Sequence, residues 1–172
     1  MLSEITEIAD NEGDPKFYAG GISSMENDHF LNPHIDNSHD GNRKSYRTLN
    51  LLFYTSPNWK EEFGGNLELW EPTVRSRCTI ISRGNRLVVM ETNSRSWHSV
   101  SPLTVVRRRN CISNYYFSHR SPEGREYFNV TTFSARPEQH VRRVVMVLDG
   151  LLRNAIRHII PAGVGREDIY KG

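Results

Sequence analysis

Cysteine is scarce in this chain. Its 172 residues include two, Cys78 and Cys111, and they form no CxxC pair, so neither a zinc knuckle nor a dithiol redox centre is indicated. Net charge is also small, +2 at neutral pH, too little to argue for a nucleic-acid surface. Basic residues do gather locally, at Arg107, Arg108 and Arg109 and again at Arg142 and Arg143, as solvated faces commonly do. No apolar run is long enough to cross a membrane. The stretch from Met1 to Gly13 is acidic and lacks the apolar segment of a signal peptide. Internal repeats and low-complexity tracts are missing as well. Together these absences predict a cytoplasmic protein with reduced thiols, with no membrane and no nucleic acid among its partners.

What is present fits one globular domain with a real core over residues 1–172. Hydrophobic residues make up 37% and charged residues 24%. Residues 3–10 carry a weak helical pattern, and "YAGGISSM" reads as a glycine-broken approach to a strand or loop. Stronger strand signals follow. "YRTLNLLFYT" is an apolar, aromatic run ended by "SPNW", and "NLELWEP" alternates. "SRCTIIS" and "RLVVMET" flank the turn signal "RGN", and "NCISNYYFSH" is a further aromatic strand. Short strands joined by Gly, Pro and Asn turns predict a mainly β sandwich, jelly roll or barrel, with its β core over about 18–134. The period then changes. Val141, Val144, Val145, Leu148, Leu151, Leu152, Ala155, Ile156 and Ile159 recur at helical spacing, which predicts an amphipathic helix over about 137–160 bracing the sheet. Pro137 and Glu138 suit its start, Arg157 and His158 its end, and Pro161 with Gly163 stop it.

One segment raises a chemical question. "FLNPHIDNSHDGN" holds two His and two Asp within a dozen residues. In an extended chain, residues i and i+2 share a face, so His34 and Asp36 can aim an imidazole and a carboxylate at one point. That is half of a 2-His-1-carboxylate triad, which leaves one face of a metal open. His98, in "SRSWHSVSPLTVVRRRNCISNYYF", supplies the missing imidazole.

His34-x-Asp36, His98 and the arginine downstream resemble the Fe(II)- and 2-oxoglutarate-dependent dioxygenases, in particular the prolyl-4-hydroxylase-like branch. The resemblance runs from about Phe30 to Phe117 and includes Gly64-Gly65-Asn66-Leu67-Glu68-Leu69. It implies a double-stranded β-helix (jelly roll, cupin-like) with a supporting C-terminal helix. It also implies Fe(II) and 2-oxoglutarate as cofactors, O2 as cosubstrate, and ascorbate as a candidate reductant. The implied reaction is hydroxylation of a C–H bond with release of succinate and CO2. Asp36 stands where halogenating relatives have a small residue, so hydroxylation is expected.

The far carboxylate of 2-oxoglutarate needs a planar cationic fork. Register against the family's strand favours Arg109. Strand alternation places Arg109, Cys111, Ser113 and Tyr115 together, with Arg107 on the same face as second candidate. Ser113 and Tyr115 would then line the cofactor pocket. The same resemblance makes Leu52, Tyr54 and Leu67 cofactor-lining residues, with Tyr54 bonding the far carboxylate. No catalytic residue beyond the metal ligands is implied. His39 and Asp40 are assigned to the substrate rim. His29, His119, His140 and His158 have no motif around them, and Trp97 and both cysteines read as packing. The substrate is expected to be an amino acid, a peptidyl residue or a small metabolite. Two other classes fit parts of the pattern: a non-catalytic cupin-like binding domain, and a zinc hydrolase, which would leave the arginine and Tyr54 without a role. Relatives carry more chain before the H-x-D than the 33 residues here, implying a trimmed fold, a natural short form or a fragment.

Overall fold

The computed structural model describes residues 2–159. A one-turn helix α1 (Leu2–Thr6) precedes strands β1 (Glu12–Gly13), β2 (Gly21–Met25), β3 (Leu31–Ile35) and β4 (Tyr46–Tyr54). A 3-10 turn at Glu61–Phe63 leads to β5 (Leu67–Trp70), β6 (Arg77–Ile80), β7 (Arg86–Glu91), β8 (His98–Val100) and β9 (Arg109–Ser118). The chain continues through β10 (Thr132–Phe133) into helix α2 (His140–Ile159). None of the described helices is long and apolar enough to cross a membrane.

The strands form two five-stranded antiparallel sheets. One runs β1-β9-β4-β7, with β2 sharing the β1 edge of β9; the other runs β10-β3-β8-β5-β6. From β2 to β5 the chain steps from sheet to sheet with every strand, and again from β6 to β9. This is the jelly-roll winding of a double-stranded β-helix. "SRCTIIS" and "RLVVMET" are consecutive strands, as expected, but they do not pair. β6 lies in the second sheet and β7 in the first, so the turn at Gly84-Asn85 carries the chain across the sandwich.

Strand alternation decides what lies between the sheets. In β4 and β9, Tyr54 sits opposite Cys111, Leu52 opposite Ser113 and Asn50 opposite Tyr115. Tyr54, Cys111 and Leu67 form the buried cluster, with Leu52, Leu69, Ile80 and Val88 packed around it. A register shift between Arg47 and Leu49 breaks the period. It keeps Arg47 opposite Phe117 and brings the arginine to the interior, where it is 1% exposed.

The double glycine has a steric cause. Gly64 and Gly65 have φ of 70° and 63°, and a Cβ at Gly64 would lie 1.8 Å from the Pro102 carbonyl oxygen. That closeness lets Gly65 N–H donate to Ser101 O and Thr104 N–H to Phe63 O, tying the start of β5 to the loop before β9.

α2 starts three residues later than Pro137 suggested, and Pro161 and Gly163 lie outside the described residues. The helix meets β10, and Arg143 donates to the carbonyls of Val74 and Thr73. Val141, Val145, Leu148, Leu151, Leu152 and Ile156 nevertheless remain exposed. The helix thus sits beside the sandwich rather than laying that face on a sheet.

Candidate metal centre

His34 and His98 are cross-strand partners in β3 and β8, with ring centroids 4.1 Å apart. Asp36 follows immediately after β3. Its Oδ1 lies 3.7 Å from His34 Nε2 and its Oδ2 3.8 Å from His98 Nε2. One ligand atom from each residue falls within a common 4.8 Å. The closer gaps are ones that an ion bonded at about 2 Å to each atom can bridge.

Backbone carbonyls fix the tautomers. His34 Nδ1 lies 3.0 Å from Asn32 O, and His98 Nδ1 lies 3.0 Å from Ser96 O. A carbonyl only accepts, so each Nδ1 carries the proton and each Nε2 presents its lone pair to the shared point. Burial, reinforced by the neighbouring His98, pushes the His34 pKa down to about 4, which keeps its ring neutral at pH 7. Burial alone would raise the Asp36 carboxyl. His98 and the Arg47 guanidinium outweigh it and hold Asp36 below its usual range. Asp36 Oδ2 is buried without a hydrogen-bond partner. Arg47 Nη1, 3.6 Å away, gives it a counter-charge without a hydrogen bond. Two imidazoles with Nε2 turned to one point and a carboxylate beside them suit a divalent transition metal.

Arg47 was not among the residues singled out from sequence. Its Nη1 lies 3.6 Å from Asp36 Oδ2, and its guanidinium is stacked 3.8 Å from the centre of the Tyr115 ring. Nε and Nη2 have no hydrogen-bond partner. Only the bulge brings it inward, so strict alternation through "YRTLNLLFY" could not have found it.

The arginines after His98 have separate fates. Arg109 begins β9 and is buried, with its guanidinium 4.9 Å from the centre of the Tyr54 ring. Its hydrogen bonds are long, 3.4 Å to Ser82 Oγ and 3.7 Å to Met25 Sδ. No acidic side chain among the described residues pairs with it. Tyr54 is fully buried, its hydroxyl has no partner, and burial raises its pKa. Arg108 is exposed and pairs with Glu26 at 2.7 Å. Arg107 lies before the strand. It donates to Pro57 O at 3.0 Å and sits over Trp59 and Phe63, so it does not share the inward face of β9 as alternation suggested. His39 bridges to Tyr46, with its ring 4.3 Å from the tyrosine ring.

A His-x-Asp pair at the end of β3 and a distant His on β8, brought together inside an antiparallel jelly roll, form a candidate mononuclear metal site of cupin type. The profile of the 2OG-Fe(II) oxygenase superfamily matches residues 20–117, more than half of the chain and every residue of the site, and the chain belongs to that superfamily. No curated protein matches it. Two of the solved structures similar to it are prolyl hydroxylases. One is a prolyl hydroxylase from Trichoplax adhaerens in complex with a hypoxia inducible factor oxygen degradation domain peptide fragment. It has 26% identity over 56% of this chain and 41% of that one, with a TM-score of 0.46. The other belongs to the prolyl 4-hydroxylases of Phytophthora capsici, with 21% identity over 87% of this chain and 47% of that one, and a TM-score of 0.47. The matched regions span less than half the length of either structure.

Proposed function

We propose that this chain is a 2-oxoglutarate- and O2-dependent hydroxylase whose Fe(II) is held by His34 Nε2, Asp36 and His98 Nε2. The observation that carries the proposal is a pairing across the sandwich. Three metal-ligating atoms converge on one sheet, and the buried, acid-free guanidinium of Arg109 stands beside the unpartnered hydroxyl of Tyr54 on the other. A zinc hydrolase would leave the second half without a purpose. A non-catalytic binding domain could keep the same ligands, and turnover is what separates it.

In this reading Arg109 forks the far carboxylate of 2-oxoglutarate, and the Tyr54 hydroxyl donates to the same group. Leu52 and Leu67 wall the chain of the keto acid, and Ser113 and Tyr115 line its bed. The neutral His34 ring gives its Nε2 lone pair without first losing a proton, and Asp36 brings a charge already ionised. Fe(II), when bound, would supply the coupled oxidation in which O2 gives one oxygen atom to 2-oxoglutarate, forming succinate and CO2, and the other to a C–H bond of the second substrate, forming C–OH. The second substrate is an amino acid, a peptidyl residue or a small metabolite, received at the rim that includes His39 and the loop after Asp36.

The test is anaerobic titration with Fe(II) and then 2-oxoglutarate, following the weak visible charge-transfer band of the chelate. The band is expected in the wild type and not in His34→Ala. Its absence from both would sink the proposal. Succinate release on admitting O2 with candidate substrates then separates an oxygenase from a binding domain.

A further inference from the structure

The family match ends at residue 117, yet the segment after it touches two of the three metal ligands. β10 continues the ligand-bearing sheet, with Thr132 opposite Ile35 and Phe133 opposite His34, and Ser134 N–H donates to Pro33 O at 2.7 Å. The Phe133 ring stacks on the His34 imidazole, with centroids 5.3 Å apart and planes 25° apart. Asn129 Nδ2 donates to the backbone carbonyl of Asp36 at 2.7 Å. Ser38 N–H donates to Asn129 O, and Asn129 N–H donates to the Ser38 hydroxyl, both at 3.0 Å. The chain is therefore gripped on both sides of Asp36.

Asp36 lies just beyond the end of β3, where the ladder no longer holds it, and a carboxylate on a free loop could swing out of ligand geometry. The same holds for the His34 ring. Its Nδ1 bond to Asn32 O sets the tautomer, but one bond leaves the ring free to tilt about it. Phe133 closes that freedom from the open edge of the sheet. Loss of a group that orients a ligand in this way typically costs about 10- to 100-fold in metal affinity.

We infer that residues 129–133 form a strap that orients the metal ligands, with Asn129 and Phe133 as positioning residues for Asp36 and His34. The inference rests on the metal assignment above. It goes beyond it in giving the segment outside the family match a part in the site.

The test uses the full chain and Co(II) alone, with affinity read by competition and geometry by the visible d–d spectrum. The melting midpoint of the metal-free protein is recorded beside them. Asn129→Ala and Phe133→Leu are expected to weaken Co(II) binding about 10- to 100-fold and to shift the d–d band. Phe133→Tyr, which keeps the stacked ring, and Thr131→Ala, elsewhere on the strap, are expected to bind like the wild type. A merely structural strap would lower the midpoint and leave the affinity and spectrum of the folded protein alone. Wild-type affinity and spectrum in both Asn129→Ala and Phe133→Leu would overturn the inference. If Asn129→Ala does not fold, the contrast between Phe133→Leu and Phe133→Tyr decides alone: equal affinities refute it, and loss only in Phe133→Leu supports it. Failure of the wild type itself to bind Co(II) would overturn the metal assignment and this inference together.

Discussion

Two buried carboxylates sit on opposite faces of one sheet and are treated differently. Asp36 faces the sandwich interior with a bare Oδ2 and a guanidinium no closer than 3.6 Å. Glu68 faces outward and is saturated. Arg136 Nη2 and Ser99 Oγ each donate to its Oε2 at 2.6 Å, and Arg77 Nε lies 2.8 Å from its Oε1. Trp70 Nε1 adds a bond to Ser99 Oγ at 2.8 Å. Burial is similar for both and means opposite things. A carboxylate with its lone pairs used up ties strands together, whereas one with a lone pair to spare can serve as a metal ligand. Glu68 pairs in register with Ser99, the neighbour of His98, so the outer network steadies the strand that the inner site uses.

Substitutions can break this contrast. The largest effect is expected from Asp36→Asn: Co(II) or Fe(II) affinity falls by more than about a hundredfold in a competition titration, and turnover is lost. Glu68→Gln should do the reverse. Two arginines lose their counter-charge, one of them buried, costing about 3–5 kcal/mol in a denaturant titration, while the folded fraction keeps its metal affinity. A Glu68→Gln protein of full stability that had lost its metal would invert the assignment of the two faces.

Acid should distinguish the faces next. The His34 pKa is about 4 in the metal-free fold against 6.5 for the free side chain. Between those values the unfolded chain binds more protons than the folded one. Stability should therefore fall as pH drops from about 6.5 toward 4, by about 3 kcal/mol in all. Chemical denaturation of metal-free wild type at stepped pH measures this. His34→Gln should flatten that part of the curve.

The smallest expected effects concern the arginines. Arg109→Met should weaken 2-oxoglutarate binding about 10- to 100-fold with metal binding unchanged. Arg107→Met should change either by less than about threefold. Isothermal titration at fixed metal concentration checks both, and the reverse order would move the anchor to Arg107.

How much was legible in advance depended on whether a feature obeys a local period. His34 and Asp36 share a face because extended chain repeats every two residues. The same period, counted along β9, brings Arg109, Cys111 and Tyr115 inward. Arg107 was misplaced because the period was carried back past the first residue of the strand. Arg47 was missed because the bulge breaks alternation within β4. Asn129 and Phe133 could not be read at all. Their grip on β3 spans nearly a hundred positions, and an asparagine that will bond a distant carbonyl looks like any loop asparagine. The helix was legible from its 3.6-residue period, but periodicity gives an apolar face without saying what covers it. Val141, Val145, Leu148 and Leu151 of α2 stay exposed.

The winding of the strands also sets an order of events for the chain as it forms. β2 pairs with β9 some ninety positions downstream, as Ile22 with Ile112, and His34 meets His98 only after β4 to β7 have been laid between them. Such non-local pairings must be closed against loop entropy before they return any stabilisation, and folds dominated by them assemble in milliseconds to seconds. In the proposed reading the three ligands meet only where β3 and β8 have paired, so an ion that favours the folded state would show as slower escape on the unfolding limb.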